Sequence, residues 1–195
     1  MSRIGEVHRV TKETEVYVKV NLDEAGPIHV DTPYRFLNHI VETLLFYASF
    51  SGEVTVREIK PVDDHHVVED VAICLGKAIA DALEKSRNNI ARYGWAIIPM
   101  DDACVLAAVD LGGRIFLEFN YRFKREKIGD VATENIHHFF YSFAQNLCAT
   151  IHIHVISGIN EHHVVEAACK ALGISLGQAT RIVERVVSTK GAVRM

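Results

Sequence analysis

The sequence His65-His66-Val67-Val68-Glu69 occurs a second time, residue for residue, at positions 162–166. The two copies are 97 positions apart (162 − 65 = 97), about half of the 195-residue chain. An alternating, strand-like segment precedes each copy, at 53–57 and at 150–155, and an apolar stretch follows it. A repeat whose surroundings also repeat indicates that the chain is a duplication of one structural unit.

Each half has the same order of predicted elements, β-β-α-β-α. Helix-like segments lie at 36–50 and 133–149, and the opening strands lie at 15–22 with 28–31 and at 103–111 with 115–123. We therefore predict an α+β fold in which each half forms a small, mostly antiparallel sheet covered by two helices. Gly112-Gly113 is typical of a tight turn and predicts a hairpin between the flanking strands. The predicted boundaries are 1–87 for the first half, 88–180 for the second half and 181–195 for a C-terminal tail.

Composition and charge exclude several classes of protein. The chain is 49% hydrophobic and 24% charged, which is typical of a folded globular protein and not of a disordered or collagen-like one. The 21 basic and 25 acidic residues give a net charge of −4, which argues against a nucleic-acid partner. No run approaches the roughly 20 apolar residues of a membrane span, so we expect no membrane association. The four cysteines have no C-x-x-C spacing and the first ten residues lack the apolar segment of a signal peptide, so we expect a cytoplasmic protein.

Eleven histidines are many for this length, and six of them fall at equivalent places in the two halves. The two histidines of each repeated pair would point about 100° apart on a helix, so we expect them to serve different metal ions. Glu69 is four residues from His65 and three from His66, and its carboxylate can share a helix face with either. His39 and His138, on the first predicted helix of each half, are 99 positions apart (138 − 39 = 99) and complete a set of six imidazoles and two carboxylates.

A structural interpretation competes with this one, because an isolated His-His pair is more often a helix start or a partly buried pair than a set of ligands. Two pairs with a glutamate at the same spacing inside a duplicated unit favour metal ligands. Three histidines and one glutamate leave two octahedral positions open for substrate or water, as a catalytic metal requires. Imidazole suits Zn, Fe, Cu or Ni, whereas carboxylate and water suit Mn or Mg, so the residues leave the metal open. Asp64 and Glu161, which precede the pairs, and His152 are candidates to orient the histidine rings.

The motifs resemble those of the imidazoleglycerol-phosphate dehydratase family, from about residue 9 to residue 191. The two signatures are residues 64–70 and 158–167, and the other matches are Thr11-Lys12-Glu13-Thr14, Phe36-Leu37-Asn38-His39, Arg92-Tyr93-Gly94, Met100-Asp101-Asp102-Ala103, Arg114, Thr133-Glu134, His138-Phe139-Phe140, Lys170 and Ser188-Thr189-Lys190-Gly191. The resemblance implies the duplicated fold of ribosomal protein S5 domain 2. It implies a hydro-lyase that converts D-erythro-imidazoleglycerol phosphate to imidazole-acetol phosphate and water in L-histidine biosynthesis.

The resemblance also implies two Mn²⁺ ions per active site. It groups His39, His66, Glu69 and His163 around one ion, and His65, His138, His162 and Glu166 around the other. It further implies metal sites at the subunit interfaces of a homo-oligomer, in which trimers assemble into a 24-mer.

Roles for other residues follow from the same resemblance. Glu13 is the first candidate for a general base, although a glutamate in a charged segment is by itself an ordinary exposed residue. The catalytic set comprises Glu13 with the ligands His65, Glu69, His162 and Glu166, and the substrate contacts are Glu13, His39, Arg92, Arg114, Lys170, Ser188, Thr189 and Lys190, whose cations face the phosphate. We expect residues 188–190 to close over the substrate. Departures from the family pattern are Tyr47 for a histidine, Asn38 for an aspartate, Gly112 for a serine and Ile59-Lys60-Pro61 for a Gly-Asp pair, and they put the role of position 47 in question.

The chemistry of the implied reaction explains such a ligand set. The C–H next to the departing hydroxyl is not acidic, so a base-led elimination faces a high barrier. Two Lewis acids on the ring nitrogens would stabilise an imidazolate, whose electrons expel the hydroxyl and give a diazafulvene before a carboxylate removes the neighbouring proton. Two other functions use the same ligands: a metallohydrolase acting on a phosphoester, which would release phosphate, and a protein whose metals only join subunits or are stored. The last has no use for Glu13, Arg114, Lys170 and Lys190 beside the ligands.

Overall fold

A computed structural model describes residues 2–84 and 86–184, and the chain forms two halves of the same architecture. The first half contains β1 (Ile4–Val10), β2 (Thr14–Asn21), β3 (Ile28–Asp31), α1 (Arg35–Ala48), β4 (Ser51–Glu58) and α2 (His65–Leu83). After a 3-10 turn at Arg87–Asn89, the second half contains β5 (Tyr93–Met100), β6 (Ala103–Asp110), β7 (Phe116–Phe119), β8 (Lys127–Ile128), β9 (Val131–Ala132), α3 (Thr133–Leu147), β10 (Thr150–Ser157) and α4 (Glu161–Ala179). The predicted α+β class is confirmed, and the repeated string opens α2 and α4.

Each half builds a four-stranded sheet with the same strand order, β1-β2-β4-β3 and β5-β6-β10-β7. In each sheet the first two pairings are antiparallel and the last is parallel, so the sheets are mostly antiparallel as predicted. The hairpin predicted at Gly112-Gly113 is wrong, because β10 lies between β6 and β7 and pairs with both. β8 and β9 form a separate two-stranded ribbon ahead of α3.

Each half begins with one strand more than predicted, β1 or β5. Both are edge strands, and neither alternates apolar residues inward with polar residues outward. β1 carries His8 and Arg9 side by side, both exposed. β5 is apolar on its outward face as well, where Trp95 is 66% and Ile97 is 56% exposed. The period-two signal that identifies a strand is therefore missing from both.

The helices pack against the sheet of their own half and, across the halves, against each other. α2 covers β1 and β2, α4 covers β5 and β6, α1 packs on α4, and α2 packs on α3. Equivalent glycines permit the helix contacts: a Cβ on Gly76 of α2 would lie 2.7 Å from the Phe143 carbonyl oxygen, and a Cβ on Gly173 of α4 would lie 2.6 Å from that of Leu44. One continuous apolar core results, with contributions from all four helices and both sheets.

The contact of each edge strand with its helix is equally close. A Cβ on Gly5 of β1 would lie 1.7 Å from the Ala78 carbonyl oxygen of α2, and a Cβ on Gly94 of β5 would lie 1.9 Å from that of Ser175 in α4. Since real Cβ atoms never approach a carbonyl so closely, both positions require glycine. The two glycines are 89 positions apart (94 − 5 = 89), which gives the offset between the opening strands of the two halves.

The ends of the helices fix where the histidines lie. Asp130, between β8 and β9, accepts hydrogen bonds from the first two backbone N–H groups of α1, at 2.7 and 3.0 Å, and so satisfies the start of that helix. The backbone N–H of His65 donates to Asp63 and that of His162 donates to Asn160, at 2.9 and 3.0 Å. Both His-His pairs therefore lie in the first turn of a capped helix. None of the helices in the described ranges is long and apolar enough to cross a membrane.

Candidate metal centre

Two groups of three side chains each bring their ligand atoms within 4.8 Å of one another. The His39 cluster consists of His39, His162 and Glu166, and the His138 cluster consists of His65, Glu69 and His138. Each cluster takes a histidine and a glutamate one turn apart from the helix that opens with the repeated string. The other histidine comes from the helix packed against it, which belongs to the other half. Both clusters therefore depend on the packing of α1 on α4 and of α2 on α3.

The His39 cluster contains a buried ring nitrogen that makes no hydrogen bond within the described part of the chain. His39 Nε2 lies 3.2 Å and His162 Nε2 lies 3.4 Å from Glu166 Oε2, and the two rings stack with centroids 5.6 Å apart. Among the described residues, His39 Nε2 is a buried side-chain atom that makes no hydrogen bond. A cavity of about 470 Å³ beside it is lined by both rings, Phe36 and Asp130. A buried nitrogen without a partner costs free energy, and a bound cation would remove that cost.

In the His138 cluster, a chain of hydrogen bonds orients the His65 ring. His138 Nε2 lies 3.0 Å from Glu69 Oε1, and the His65 and His138 rings stack with centroids 4.8 Å apart. His65 Nδ1 lies 2.8 Å from Asn135 Oδ1, and Asn135 in turn donates to Asp64 at 2.9 Å. Because Asn135 donates through its amide to Asp64, its oxygen is left to accept a ring N–H. His65 then has its Nε2 lone pair free for a metal ion.

In the structure, each glutamate shares a helix face with the first histidine of its pair. Glu69 lies with His65 and Glu166 lies with His162, four residues apart, because such residues stand one above the other on a helix. The grouping expected from the resemblance, with Glu69 beside His39, does not occur within one chain. Its physical reason is the helix packing, since α1, which carries His39, lies against α4 and not against α2.

The second histidine of each pair is held by an acid from the first hairpin of its own half. His66 Nδ1 lies 3.2 Å from Glu13 Oε2, in the turn between β1 and β2. His163 Nδ1 lies 2.6 Å from Asp102 Oδ1, in the turn between β5 and β6. Both rings are partly exposed, and within the described ranges neither belongs to a three-residue cluster. We call His66 and His163 the outer histidines, and each has its Nδ1 engaged. His163 Nε2 also lies 3.5 Å from Asn160 Nδ2 and 3.6 Å from Asp101 Oδ2.

Asp102 is fixed more firmly than Glu13. Its Oδ2 accepts the backbone N–H groups of Ile159 and Asn160, at 2.5 and 2.8 Å, while Oδ1 faces His163. The backbone N–H of Asn160, the His163 ring and the backbone N–H of Ile159 hold the pKa of Asp102 well below its usual range. The carboxylate thus joins the β5–β6 turn to the start of α4.

Lys170 is paired with a cluster residue. Its Nζ lies 2.9 Å from Glu166 Oε1 and 5.5 Å from the centroid of the Tyr47 ring, and both charged side chains are largely buried. Burial alone would raise the pKa of Glu166, but the hydrogen bond from Lys170 and the His39 ring 3.2 Å away outweigh it and hold that pKa below its usual value. The predicted substrate-binding lysine therefore lies directly behind the His39 cluster, with Tyr47 beside it.

The other predicted cations lie at the opposite end of the second half. Arg92, in the left-handed region with φ of 71°, donates to Asp110 at 2.6 and 2.9 Å, and Arg114 lies 4.0 Å from the same carboxylate. The Arg92 backbone N–H donates to the Ala179 carbonyl oxygen at the last residue of α4. Because α4 has 19 residues, its two ends are about 28 Å apart at 1.5 Å per residue. Arg92 and Arg114 are thus far from the His39 cluster within one chain, and Ser188, Thr189 and Lys190 lie outside the described residues.

Asp64, Glu161 and His152 were predicted to orient histidine rings, and of these three Asp64 does so. Asp64 reaches His65 through Asn135, as described above. Glu161 instead accepts the backbone N–H groups of Lys124 and Arg125, at 2.6 and 3.0 Å, and fixes that loop. His152 lies on the outer face of the second sheet, where it stacks on His154 with centroids 6.0 Å apart.

Sequence reasoning missed Asp102 and Asn135 as partners of the His163 and His65 rings. The offset of 89 between the opening hairpins pairs Glu13 with Asp102 (102 − 13 = 89), and this comparison would have identified it. Asn135 lies on a helix of the other half from His65, and no spacing in the sequence points to that contact.

The chain is similar to known proteins over nearly all of its length. A sequence model of the imidazoleglycerol-phosphate dehydratase family matches residues 32–176. The imidazoleglycerol-phosphate dehydratase of Caldivirga maquilingensis is 54% identical over 182 residues, which are 93% of this chain and 94% of that protein. That of Methanocaldococcus jannaschii is 50% identical over 195 residues, with 99% and 97% of the two chains covered.

Solved structures agree with the sequence comparisons. The crystal structure of the dehydratase from Pyrococcus furiosus superposes with a TM-score of 0.82 and 36% identity, and it covers 96% of this chain and 100% of its own. That from Staphylococcus aureus gives 0.81 and 33%, with 92% and 99% covered. From the matching motifs, the relatives and the shared fold, we conclude that this chain is an enzyme of the imidazoleglycerol-phosphate dehydratase family.

Proposed function

We propose that the protein is a hydro-lyase of L-histidine biosynthesis that converts D-erythro-imidazoleglycerol phosphate to imidazole-acetol phosphate and water, with two Mn²⁺ ions per active site. Family membership supports the reaction, because relatives of nearly the same length carry the name of that dehydratase. The observation that carries the metal proposal is the pair of His-His-Glu clusters, above all the buried His39 Nε2, which makes no hydrogen bond within the described ranges and lies 3.2 Å from Glu166 Oε2.

The donor set fits the proposed ions. Each cluster offers two imidazoles and one carboxylate, and the carboxylate suits Mn²⁺. We infer that His39, His162 and Glu166 hold one ion and that His65, Glu69 and His138 hold the other. Bound Mn²⁺ supplies Lewis acidity, which withdraws electrons from the imidazole ring of the substrate.

Glu13 is the residue we assign to proton transfer. Its side chain is 40% exposed and lies 3.2 Å from the ring of an outer histidine, His66, so it is accessible to a substrate at that turn. After the hydroxyl leaves to give a diazafulvene, the Glu13 carboxylate takes the proton from the neighbouring carbon, and the resulting enol becomes the ketone. Lys170, beside Glu166, and the arginines at Asp110 supply positive charge for the phosphate.

We propose that the active site forms between copies of the chain. Three features support this: each cluster has only three ligands among the described residues, both outer histidines are partly exposed and lie outside the clusters, and Arg92 and Arg114 lie at the far end of α4 from the His39 cluster. A second copy would supply an outer histidine to each cluster and the distant arginines to the substrate. The family resemblance extends this to a 24-mer built from trimers.

The outer faces of the two sheets are consistent with self-association. On the first sheet the strand register lines up charged side chains, namely Glu6, Glu15, Lys19, Glu53 and Arg57. On the second sheet the equivalent face carries Trp95, Ile97, Leu106, Ala108 and Phe116. Trp95, Ile97 and Phe116 are each about half exposed or more in the single chain, and an exposed apolar patch of this kind marks a contact surface.

Formation of imidazole-acetol phosphate by metal-stripped and Mn²⁺-loaded protein tests the reaction. We expect product only with Mn²⁺, no product from His65→Ala or Glu166→Ala, and normal product from the control His29→Ala, whose histidine is exposed on β3. Full activity after removal of the metal would refute the proposal, and release of free phosphate would indicate a hydrolase instead.

Mixing two inactive variants tests the shared site. We expect Glu166→Ala and Arg92→Ala each to be inactive alone, and to regain part of the activity when unfolded together and co-assembled. Mixed oligomers would contain sites that combine an intact Glu166 from one copy with an intact Arg92 from another. If co-assembled oligomers of confirmed mixed composition stay inactive, both residues belong to one copy of the site, contrary to the proposal.

A further inference from the structure

A buried polar network joins the first hairpin to α2. The Thr14 hydroxyl donates to Asp70 Oδ2 in a short hydrogen bond, and Arg9 Nε donates to Asp70 Oδ1 at 2.8 Å. Thr14 is fully buried and Asp70 is 5% exposed. Asp70 follows the cluster residue Glu69, but its side chain faces the sheet and not the cluster. Neither Thr14 nor Asp70 has a role in the proposed reaction, so the burial of this pair needs its own explanation.

The second half has no such network at the equivalent place. The offset of 89 between the opening hairpins pairs Arg9 with Ile98 (98 − 9 = 89) and Thr14 with Ala103 (103 − 14 = 89). The registers agree, since Arg9 pairs with Val16 and Ile98 pairs with Val105. The offset of 97 between α2 and α4 pairs Asp70 with Ala167 (167 − 70 = 97). Ala103 and Ala167 are both buried, at 2% and 0% exposure, so two alanines hold the same fold together there.

Stability of the fold does not explain the buried contact between Thr14 and Asp70. Burying a carboxylate and a hydroxyl costs free energy that their mutual hydrogen bonds at best offset, whereas two alanines incur no such cost. Since the second half forms the same hairpin-on-helix contact with alanines, the fold does not require the network. Something present in the first half alone must account for it.

The difference between the two halves lies in the turn itself. Asp102 is locked by two backbone N–H groups and a histidine ring, as described above. The longer Glu13 side chain, within the described residues, has His66 as the partner of its carboxylate, so its position depends on the placement of its backbone. The Thr11 hydroxyl accepts the Glu13 and Thr14 backbone N–H groups at 3.1 and 3.0 Å, and the Glu13 carbonyl oxygen accepts the N–H of Ile59 at 2.7 Å. These bonds shape the turn, and the bonds of Thr14 and Arg9 to Asp70 attach it to the helix that carries His66.

We propose that Asp70 is a positioning residue for the reaction: through Thr14 and Arg9 it fixes the β1–β2 turn against α2 and so sets where the Glu13 carboxylate stands relative to His66. This inference rests on the proposed role of Glu13 as the base. A displacement of about 1 Å in such a group can lower a rate on the order of 100-fold. The network therefore tunes geometry at the base without touching the substrate.

The test gives the first half the two alanines that stand at the equivalent positions of the second half. Thr14→Ala with Asp70→Ala reproduces the Ala103 and Ala167 pair and leaves no buried charge without a partner, since Arg9 is 43% exposed. In the Mn²⁺-loaded oligomer we expect kcat to fall by about 10- to 100-fold, with KM, melting temperature and Mn²⁺ stoichiometry close to those of the unaltered protein. Thr14→Ser keeps the hydroxyl and should retain activity. Asp23→Ala, which removes the 2.6 Å ion pair with Arg3 at the other end of the hairpin, is the matched control and should leave kcat unchanged.

A double-mutant cycle with Glu13→Gln identifies the route of the effect. If Asp70 acts through Glu13, the paired alanine change should add nothing to the loss in kcat already caused by Glu13→Gln. Additive losses, an unchanged kcat in the paired variant, or loss of Mn²⁺ binding would each overturn the inference. Full activity of Glu13→Gln alone would instead overturn the role of Glu13 in the proposed function, and the two failures are thereby distinguished.

Discussion

Replacing Asp102 by asparagine should prevent His163, a proposed metal ligand, from binding Mn²⁺ while leaving the fold in place. The two backbone N–H groups of Ile159 and Asn160 both donate to Oδ2, so in Asp102→Asn they require the side-chain oxygen at that position. The amide nitrogen of the new residue is then forced to face His163 Nδ1, where the carboxylate now stands 2.6 Å away. Because an amide NH₂ donates, the ring must accept at Nδ1 and carry its proton on Nε2. A protonated Nε2 is not a ligand.

The expected loss of Mn²⁺ affinity follows from which contacts of Asp102 the substitution keeps and which it changes. Asp102→Asn keeps both hydrogen bonds to the backbone at the start of α4, so the melting temperature of the metal-free protein should change little. The loss is confined to the tautomer of one outer histidine. Changing a residue that orients a ligand in this way typically weakens metal binding by 10- to 100-fold, and we expect a loss in that range for one class of site.

Calorimetric titration of Mn²⁺ into the stripped protein measures this loss, and sedimentation velocity follows the assembly that should weaken with it. Asp23→Asn is the control, because Asp23 accepts the backbone N–H and the guanidinium of Arg3 and contacts no histidine among the described residues. Unaltered Mn²⁺ affinity in Asp102→Asn would refute the reasoning, as would an equal loss in Asp23→Asn.

Three other perturbations have defined outcomes. Lys170→Met removes the ammonium group 2.9 Å from Oε1 of the largely buried Glu166 and should destabilise the metal-free protein by about 1–3 kcal/mol. Mn²⁺ should restore most of that stability in thermal unfolding, and an equal loss with and without metal would contradict the prediction. Gly94→Ala directs a Cβ to within 1.9 Å of a backbone oxygen of α4 and should lower stability by about 1–3 kcal/mol in urea titrations; an unchanged midpoint would be inconsistent with the contact. Hydrogen bonds from Arg3 lower the pKa of Asp23 below its ordinary 3.8, so its contribution is present above that pH and is lost as the pH falls further. Asp23→Asn should therefore be less stable than the unaltered protein at pH 7 and equally stable in strong acid, and a gap that persists in acid would contradict this.

The duplication and the fold class were predictable because one short string carries both. Its second copy established the period, and the strand and helix patterns around it were strong enough to define the common unit. The opening strands were not predictable, since β1 mixes polar residues on both faces and β5 is apolar on both. The false hairpin at Gly112-Gly113 has a different origin: a tight turn reverses the chain, but only the later crossover through α3 decides that β10 enters between the two strands.

The sequence indicated six histidines as a set, but it left open which of them the fold brings together within one chain. The spacing of Glu69 allowed either neighbouring histidine, and the choice depends on which helix packs alongside, a contact between residues far apart in sequence. For the same reason, the sequence did not indicate that Asn135 contacts His65. Arg92 and Arg114 were predicted to contact the substrate phosphate. Their strand positions put them together at the other end of the sheet within one chain, where the residues before β5 and after β6 meet.

The crossed pairing of the helices has a consequence for the history and the engineering of the chain. Neither half holds a complete cluster alone, because each contributes one histidine to its partner's helix and receives one in return. A half-length chain that paired with its own copy would have formed both clusters at once by twofold symmetry, so fusion of two genes would have preserved a working site. Cut open between 84 and 92, the present chain should behave as two inert fragments that regain metal binding only on recombination.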